Sequence, residues 1–266
     1  MADDPRRPSI TAWAVTAWRD AFAAASQMPV VLGVATLAVL ALNVLSIPII
    51  PRKIGEETGF GVEVLSFAVG LAQGFLLTPA AIAVHRFVLF SERETSYRLE
   101  PSNPRFRRFF FFTVVLQILI VIPGTVVGLM PMNRGSWVSG VVSFVAGLFA
   151  VIVMLRTLIL FPAIAADAPG AALSNAARDS KGHSWRILFI AIAVGIPMMV
   201  VYLPMFYWLW WPTGPSPGGT AVLVVVEAVE AVIGTAAYAA VASRLFIALA
   251  DRLARPPGAP PDSAAH

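Results

Sequence analysis

Two acidic residues stand three positions apart inside an apolar stretch near the end of the chain. Glu227 and Glu230 belong to the stretch 220–249, and a spacing of three puts both carboxylates on one face of a helix. Because an ionised side chain costs about 2.5–3.5 kcal/mol at the centre of a membrane helix, such residues are functional candidates. The pair could form a cation or proton site. The alternatives are a water-filled outer vestibule or pairing with a basic residue of the outer loops.

A basic residue also interrupts an apolar stretch, at Arg156 within 137–166. We group it with Glu227 and Glu230 as a possible intramembrane polar site. In straight helices, Arg156 and Glu230 would differ in height by about 15 Å. We therefore expect Arg156 to reach the headgroup level or nearby backbone carbonyls rather than to pair directly with a glutamate.

Three arginines precede a run of four phenylalanines: Arg105, Arg107 and Arg108. One interpretation is capture of anionic lipid headgroups, which attract basic segments beside a membrane helix. The alternative is ordinary positive-inside anchoring. Uncharged polar residues within the apolar stretches, such as Asn43 and Gln73, are expected to hydrogen-bond between helices.

Catalytic chemistry finds little support in these residues. The chain has no cysteine and three histidines, which removes disulfides, thiol nucleophiles and cysteine zinc sites. None of the sequence motifs GxSxG, HExxH, GxxxxGK[ST] or GxGxxG is present in a suitable setting. We therefore expect no enzymatic activity, no cofactor and no metal. A formal charge of +4 in so apolar a chain suggests anionic lipids as neighbours rather than nucleic acid.

The composition indicates whether the protein folds in water or in a membrane. Of the 266 residues, 58% are hydrophobic and 13% charged, about half the charged fraction of a soluble domain. The mean hydropathy is +0.78. A soluble fold is excluded because it would expose much of this apolar surface, and the sequence predicts an integral membrane protein.

The apolar stretches predict an all-α fold, a bundle of six transmembrane helices. Each stretch reaches the roughly 20 residues that a helix needs to cross a bilayer. None shows the two-residue alternation of a membrane strand. The predicted spans are residues 28–50, 62–84 with an extension to 90, 109–130, 137–166, 187–211 and 220–249.

The basic residues predict the orientation of the bundle. Fifteen of the 19 Lys and Arg residues fall in the two termini and in the loops after spans two and four. Because cytoplasmic loops carry the excess of Lys and Arg, both termini are expected in the cytoplasm. The predicted location is the bacterial inner membrane, with no cleaved signal peptide.

Two further helices and a tail complete the predicted layout. Residues 10–25 read as a helix lying in the headgroup plane or packed on the cytoplasmic ends of the bundle. Residues 167–182 read as a short cytoplasmic helix, with Asp167 or a neighbour as its cap and Gly182 at its exit. The domain layout is an N-terminal segment 1–27, a membrane domain 28–250 and a disordered tail 251–266.

One region resembles a known family. Residues 156–167 read RTLILFPAIAAD and residues 171–186 read AALSNAARDSKGHSWR. An apolar helix ending near Pro-Ala and an acidic residue, then a short helix with Ser before Gly, is similar to the YciC-like bacterial membrane proteins. The membrane domain of glycerophosphoryl diester phosphodiesterases is related to them. The resemblance implies a polytopic inner-membrane protein of unassigned activity and does not imply phosphodiesterase chemistry.

Two functions remain open on the sequence. The first is a non-enzymatic bundle that organises or stabilises membrane components, with lipids and perhaps another membrane protein as partners. The second is a transporter or channel for a small solute or ion that uses Glu227 and Glu230.

Overall fold

Helices are the only regular secondary structure in the residues that the structure, a computed structural model, describes: 9–47, 60–129, 137–210 and 217–255. Nine helices and no strand occur in these ranges. In chain order they are α1 Ile10–Gln27, α2 Pro29–Ser46, α3 Phe60–Phe90, α4 Pro104–Leu129, α5 Trp137–Thr157, α6 Leu160–Ala165, α7 Leu173–Asp179, α8 Ser184–Trp210 and α9 Pro217–Leu249. The predicted all-α class is thereby confirmed.

Five of the predicted spans are long and apolar enough to cross a membrane. They correspond to α2, α3, the α5–α6 pair, α8 and α9, which is compatible with a multi-pass membrane protein. The remaining predicted span, 109–130, corresponds to α4. It is not among the five, and the side chains of residues 122–129 lie outside what the structure describes. The count of six spans is therefore not confirmed.

The fourth predicted span is two helices rather than one. α5 ends at Thr157 and α6 begins at Leu160. Pro162 explains the interruption, because it has no N–H to donate to the carbonyl of Leu158 and its ring crowds that carbonyl. The short α6 is almost entirely buried, and it packs against α3, α4 and α9.

The first helix packs against other helices of the bundle, and its position relative to the headgroup plane stays a prediction. Its buried residues are alanines at alternating spacings of three and four: Ala14, Ala17, Ala21 and Ala24. Small side chains on one face let two helix backbones approach closely, and α1 contacts α9 and α8. The indole Nε1 of Trp18 donates to the carbonyl of Val194 on α8 at 3.1 Å.

The short helix predicted within 167–182 is present as α7, but it begins later than predicted. Asp167 has a φ of 51° and precedes the helix, and the N-cap position belongs to Ala172, whose side chain cannot accept a hydrogen bond. Gly182 follows α7 with a φ of 83°, a left-handed conformation that favours glycine. The exit of the helix was therefore predicted correctly and its cap was not.

The first five residues of the predicted tail are ordered, contrary to the expectation of disorder from residue 251. The carboxylate of Asp179 accepts the backbone amides of Asp251, Arg252 and Leu253 at 3.0–3.2 Å. Leu253 is fully buried, and its carbonyl accepts the amide of Gly170 at 3.2 Å. The rest of the tail, residues 256–266, lies outside the described residues.

Five helices form a ring. α3 contacts α4, α4 contacts α5, α5 contacts α8, α8 contacts α9, and α9 returns to α3. α2 packs outside this ring, against α3 and α9. A cavity lies within the ring.

Candidate functional site

The cavity within the ring has a volume of about 980 Å³. This is the upper end of the range for sites that hold a drug-sized molecule. Leu, Ile, Val, Ala and Met supply most of the wall. The lining residues are Asn43, Gln73, Leu116, Val151, Met154, Leu155, Leu158, Leu188, Ala191, Ile192, Gly195, Met198, Met199, Tyr202, Glu227, Glu230, Ala231, Gly234, Thr235 and Tyr238.

The cavity is elongated along the helices. On α8 its wall extends from Leu188 to Tyr202, a rise of about 21 Å at 1.5 Å per residue. On α9 it extends from Glu227 to Tyr238, about 16 Å by the same rise. These lengths are more than half of the roughly 30 Å that a bilayer's hydrocarbon core measures.

Both glutamates that the sequence singled out line this cavity. Glu227 and Glu230 are half-buried, on the side of α9 that faces the ring interior. Two carboxylates about one helical turn apart repel each other when both are ionised, so the pair favours a proton or a cation between or beside them.

Two side-chain amides from other helices line the same cavity. Asn43 of α2 is only 7% exposed, and Gln73 of α3 is half-buried. Within the described part of the chain neither side-chain amide has a hydrogen-bond partner, whereas the sequence predicted bonds between helices. The cavity therefore presents unused hydrogen-bonding capacity beside its carboxylates.

Tyr238 is a cavity residue that the sequence reasoning missed. Its hydroxyl donates to the carbonyl of Ala191 on α8 at 3.3 Å. The close approach requires Gly195, because a Cβ at that position would lie 2.8 Å from the same hydroxyl. The available signal was a tyrosine inside the predicted last span and a glycine inside the span before it.

Arg156 does not join the glutamates. It lies exposed in the last turn of α5 and is not one of the residues that line the cavity. Its carbonyl is within 3.4 Å of the Ser180 hydroxyl. Of the three residues that the sequence grouped, Glu227 and Glu230 therefore share the cavity wall and Arg156 does not.

Two of the three candidate lipid-binding arginines bind protein groups. Arg105 pairs with the carboxylate of Asp167, and its Nε lies 3.1 Å from each carboxylate oxygen. These hydrogen bonds hold the pKa of the Asp167 carboxyl below its ordinary value. Arg108 donates to the carbonyl of Ala171 at 2.8 Å. Arg107 is exposed, and the described residues offer its side chain no partner.

A fourth arginine extends this contact with the segment between α6 and α7. Arg86 donates to both carboxylate oxygens of Glu92 at 2.6 Å, and to the carbonyl of Ala165 at 3.0 Å. Together with Arg105 and Arg108, it fixes residues 165–171 against the ends of α3 and α4. Some of the basic residues near the phenylalanine run therefore hold protein segments together.

No metal site appears in the ranges that the structure covers, because no three His, Asp or Glu side chains are grouped there. The buried His85 of α3 instead packs in the core. Its Nδ1 lies 2.8 Å from the hydroxyl oxygen of Ser243 on α9, and its ring contacts Phe109.

Comparison with known proteins adds no relative. The chain matches no protein-family model, no curated protein and no solved structure. The resemblance to the YciC-like proteins therefore stays a prediction, and the functional argument depends on the cavity.

Proposed function

We propose that the protein is a non-enzymatic transporter that binds a small solute inside the bilayer and passes it across the membrane. The observation that carries the proposal is the elongated cavity of about 980 Å³, with Glu227 and Glu230 in its wall. This is the second of the two functions that the sequence left open.

The same cavity argues against a purely organising bundle. Helices that only stabilise one another gain from close packing, whereas this cavity leaves a large space between them. A bundle without a ligand would have no reason to line such a space with two carboxylates and two amides. A binding site accounts for both the volume and the polar groups.

The proposed setting is the bacterial inner membrane, with α4 as the sixth span and both termini in the cytoplasm. The excess of Lys and Arg in alternate loops supports this orientation. Because the chain lacks cysteine, single substitutions can test it. An impermeant maleimide should label Trp137→Cys in intact spheroplasts and Arg93→Cys only after lysis. The reverse pattern would overturn the orientation.

Access to the cavity tests the transport proposal without knowledge of the solute. Ala231 lines the cavity, whereas Ala228, one turn earlier on α9, is fully buried elsewhere. In proteoliposomes, the small thiol reagent 2-aminoethyl methanethiosulfonate should modify Ala231→Cys from at least one aqueous side and leave Ala228→Cys unmodified. If the reagent modifies neither cysteine from either aqueous side, the result would contradict the transport proposal.

A cavity-filling substitution provides a second measurement. A Cβ added at Gly234 would meet only the terminal methyl of Met198, at 3.9 Å. Gly234→Leu should therefore fill part of the cavity and slow modification of Ala231→Cys. Gly33→Leu is the matched control, because Gly33 is exposed on α2 and faces open space. Equal rates in the two variants would show that the reagent does not enter through the cavity.

A further inference from the structure

We propose that the protein binds a phospholipid with a zwitterionic phosphoethanolamine headgroup in a cleft beside the loop between α3 and α4. The cleft has a volume of about 150 Å³ and shares no lining residue with the cavity within the ring. It is therefore a second site, and it does not depend on the proposed transport function.

Three helix ends meet at the cleft. Val31 lies in the first turn of α2, Arg86 lies in the last two turns of α3, and Phe106 lies in the first turn of α4. Because α3 contacts both α2 and α4 and successive spans run in opposite directions, these three ends belong to the same face of the membrane. α3 has 31 residues and is about 46 Å long, so part of it extends beyond a hydrocarbon core of roughly 30 Å.

The loop between α3 and α4 folds back along α3. The hydroxyl of Tyr97 donates to the carbonyl of Leu76 at 2.6 Å, although Leu76 lies about four turns before the end of α3. The charged side chains of Glu94, Arg98 and Glu100 in this loop are exposed. Since a charged side chain is costly in hydrocarbon, the loop and the cleft that it lines lie at the level of the lipid headgroups.

The cleft also has an apolar wall. α2 and α3 supply Val31, Pro79, Ile82 and Ala83, and α4 adds Phe106. A small soluble phosphate ester would gain little from these groups. The glycerol backbone and the first methylenes of a lipid would bury apolar surface against them, which favours a lipid as the ligand.

Two arginines of the wall already have carboxylate partners. Arg86 bonds the carboxylate of Glu92 at 2.6 Å, and Arg105 pairs with Asp167. Their charges are therefore compensated within the protein, and the charge that a ligand would meet comes from the other ionisable residues of the wall.

Those residues are Arg98, Glu94 and Glu100. None of the three forms an ion pair with the part of the chain that the structure describes, although all three line one cleft. Nε of Arg98 donates to the hydroxyl oxygen of Ser96 at 3.1 Å. This bond leaves the two Nη groups of the guanidinium for a phosphate, which arginine binds well.

One guanidinium and two carboxylates without partners favour a ligand that carries both charges. The phosphate would lie beside Arg98 and the first turn of α4, because the beginning of a helix attracts phosphate. A primary ammonium group has three N–H donors, and the carboxylates of Glu94 and Glu100 would accept them. An anionic headgroup without an amine would instead be repelled by both carboxylates.

The wall also distinguishes ethanolamine from choline. A quaternary ammonium group has no N–H to donate, and proteins recognise it with cages of aromatic rings. Phe106 is the one aromatic residue among the described residues of the wall, whereas two carboxylates are present. The cleft is therefore better suited to a primary amine.

The lipid selectivity of the native chain tests the proposal. Purified full-length protein in detergent is titrated with phosphatidylethanolamine, phosphatidylcholine and phosphatidylglycerol of identical acyl chains, and native mass spectrometry counts the bound lipids. One saturable site should prefer the ethanolamine lipid by at least about fivefold in Kd. Equal affinity for the three lipids, or a preference for either of the other two, would overturn the proposal.

Substitutions of the exposed charges should change this selectivity while the fold is kept. Arg98→Gln should weaken binding of phosphatidylethanolamine about tenfold, and Glu94→Gln/Glu100→Gln should shift the preference towards phosphatidylglycerol. Arg93→Gln is the matched control, because Arg93 is exposed in the same loop but does not line the cleft, and it should bind like the native chain. Unchanged affinity and selectivity in either cleft variant would overturn the proposal.

The headgroup without its acyl chains distinguishes a lipid from a soluble ligand. An excess of glycerophosphoethanolamine should displace little of the bound phosphatidylethanolamine, because it lacks the apolar part that we place along Val31 and Ile82. Displacement as effective as that by the intact lipid would overturn the assignment to a lipid.

Discussion

Asp20 of α1 and Arg244 of α9 form a two-point ion pair. Nε of the guanidinium lies 2.7 Å from one carboxylate oxygen, and Nη2 lies 3.0 Å from the other. The pair joins the first and last of the described helices, 224 residues apart. With the bond from Trp18 to the Val194 carbonyl, it holds α1 along the outside of the cavity wall formed by α8 and α9.

Removing this ion pair should loosen α1. Asp20→Asn is expected to lower the stability by about 1 kcal/mol, because the Arg244 side chain is 40% exposed and solvent screens the pair. Thermal unfolding in detergent measures the change, and a double-mutant cycle with Arg244→Gln isolates the interaction. Strictly additive losses in the cycle would show that the two residues do not stabilise each other.

Removing the buried contact between His85 and Ser243 should lower the stability of the folded chain. Ser243→Ala removes the hydroxyl oxygen beside Nδ1 of His85 and leaves the ring its backbone hydrogen bond with Ala239, so we expect a loss of about 0.5–1.5 kcal/mol. The control is Ser46→Ala, because the Ser46 hydroxyl is also buried but bonds only the carbonyl of Asn43 on its own helix. Midpoints of thermal unfolding should fall further for Ser243→Ala. An equal effect of the two substitutions would contradict a role for His85.

The pair of Arg105 and Asp167 should make stability depend on pH. The pKa of Asp167 is lowered in the folded chain, so its contribution is complete above the unfolded value of about 3.9. It is lost as the pH falls through the lower folded pKa. Because Asp167 is 58% exposed, Asp167→Asn should cost at most about 1 kcal/mol at neutral pH. The stability gap to the native chain should narrow as the pH falls below about 4; a gap that widened there would refute the assignment.

The Asp179 carboxylate should hold the chain that follows α9. Asp179→Ala removes the acceptor of three consecutive backbone amides, those of Asp251 to Leu253. We expect faster hydrogen exchange at these amides and faster tryptic cleavage after Arg252, by about fivefold or more for a loss near 1 kcal/mol. Asp251→Asn keeps the Asp179 contacts and removes the Asp251–Arg255 ion pair, so its exchange should rise less than that of Asp179→Ala. Unchanged exchange in Asp179→Ala would mean that Leu253 alone fixes this segment.

Close packing of α8 against α9 should require a residue without a side chain at Gly195. Gly195→Ala puts a methyl group 2.8 Å from the Tyr238 hydroxyl, so one of them must move, at a cost of about 1–3 kcal/mol. Removing the hydroxyl with Tyr238→Phe should restore much of the stability of the alanine variant. If the double variant is no more stable than Gly195→Ala, the two groups do not meet as described.

The sequence by itself determined the class of the molecule and most of its helices. Continuous apolar stretches can satisfy their backbone groups in lipid only as helices, and this local rule predicts α2, α3, α8 and α9 to within a few residues at most ends. Gly182 marked the exit of α7, whereas the division of the fourth predicted span into α5 and α6 was not predicted. The cost of intramembrane charge singled out Glu227 and Glu230.

Only the tertiary structure decided what surrounds those residues. The cavity exists because α3, α4, α5, α8 and α9 meet as a ring, and the choice of neighbours depends on contacts far apart in sequence. For the same reason, neither lipid capture nor positive-inside anchoring predicted that Arg105 meets Asp167, and the expected partner of Asn43 did not predict that this residue lines the cavity. Composition determines which segments leave water, but packing between distant helices determines what each polar side chain meets inside.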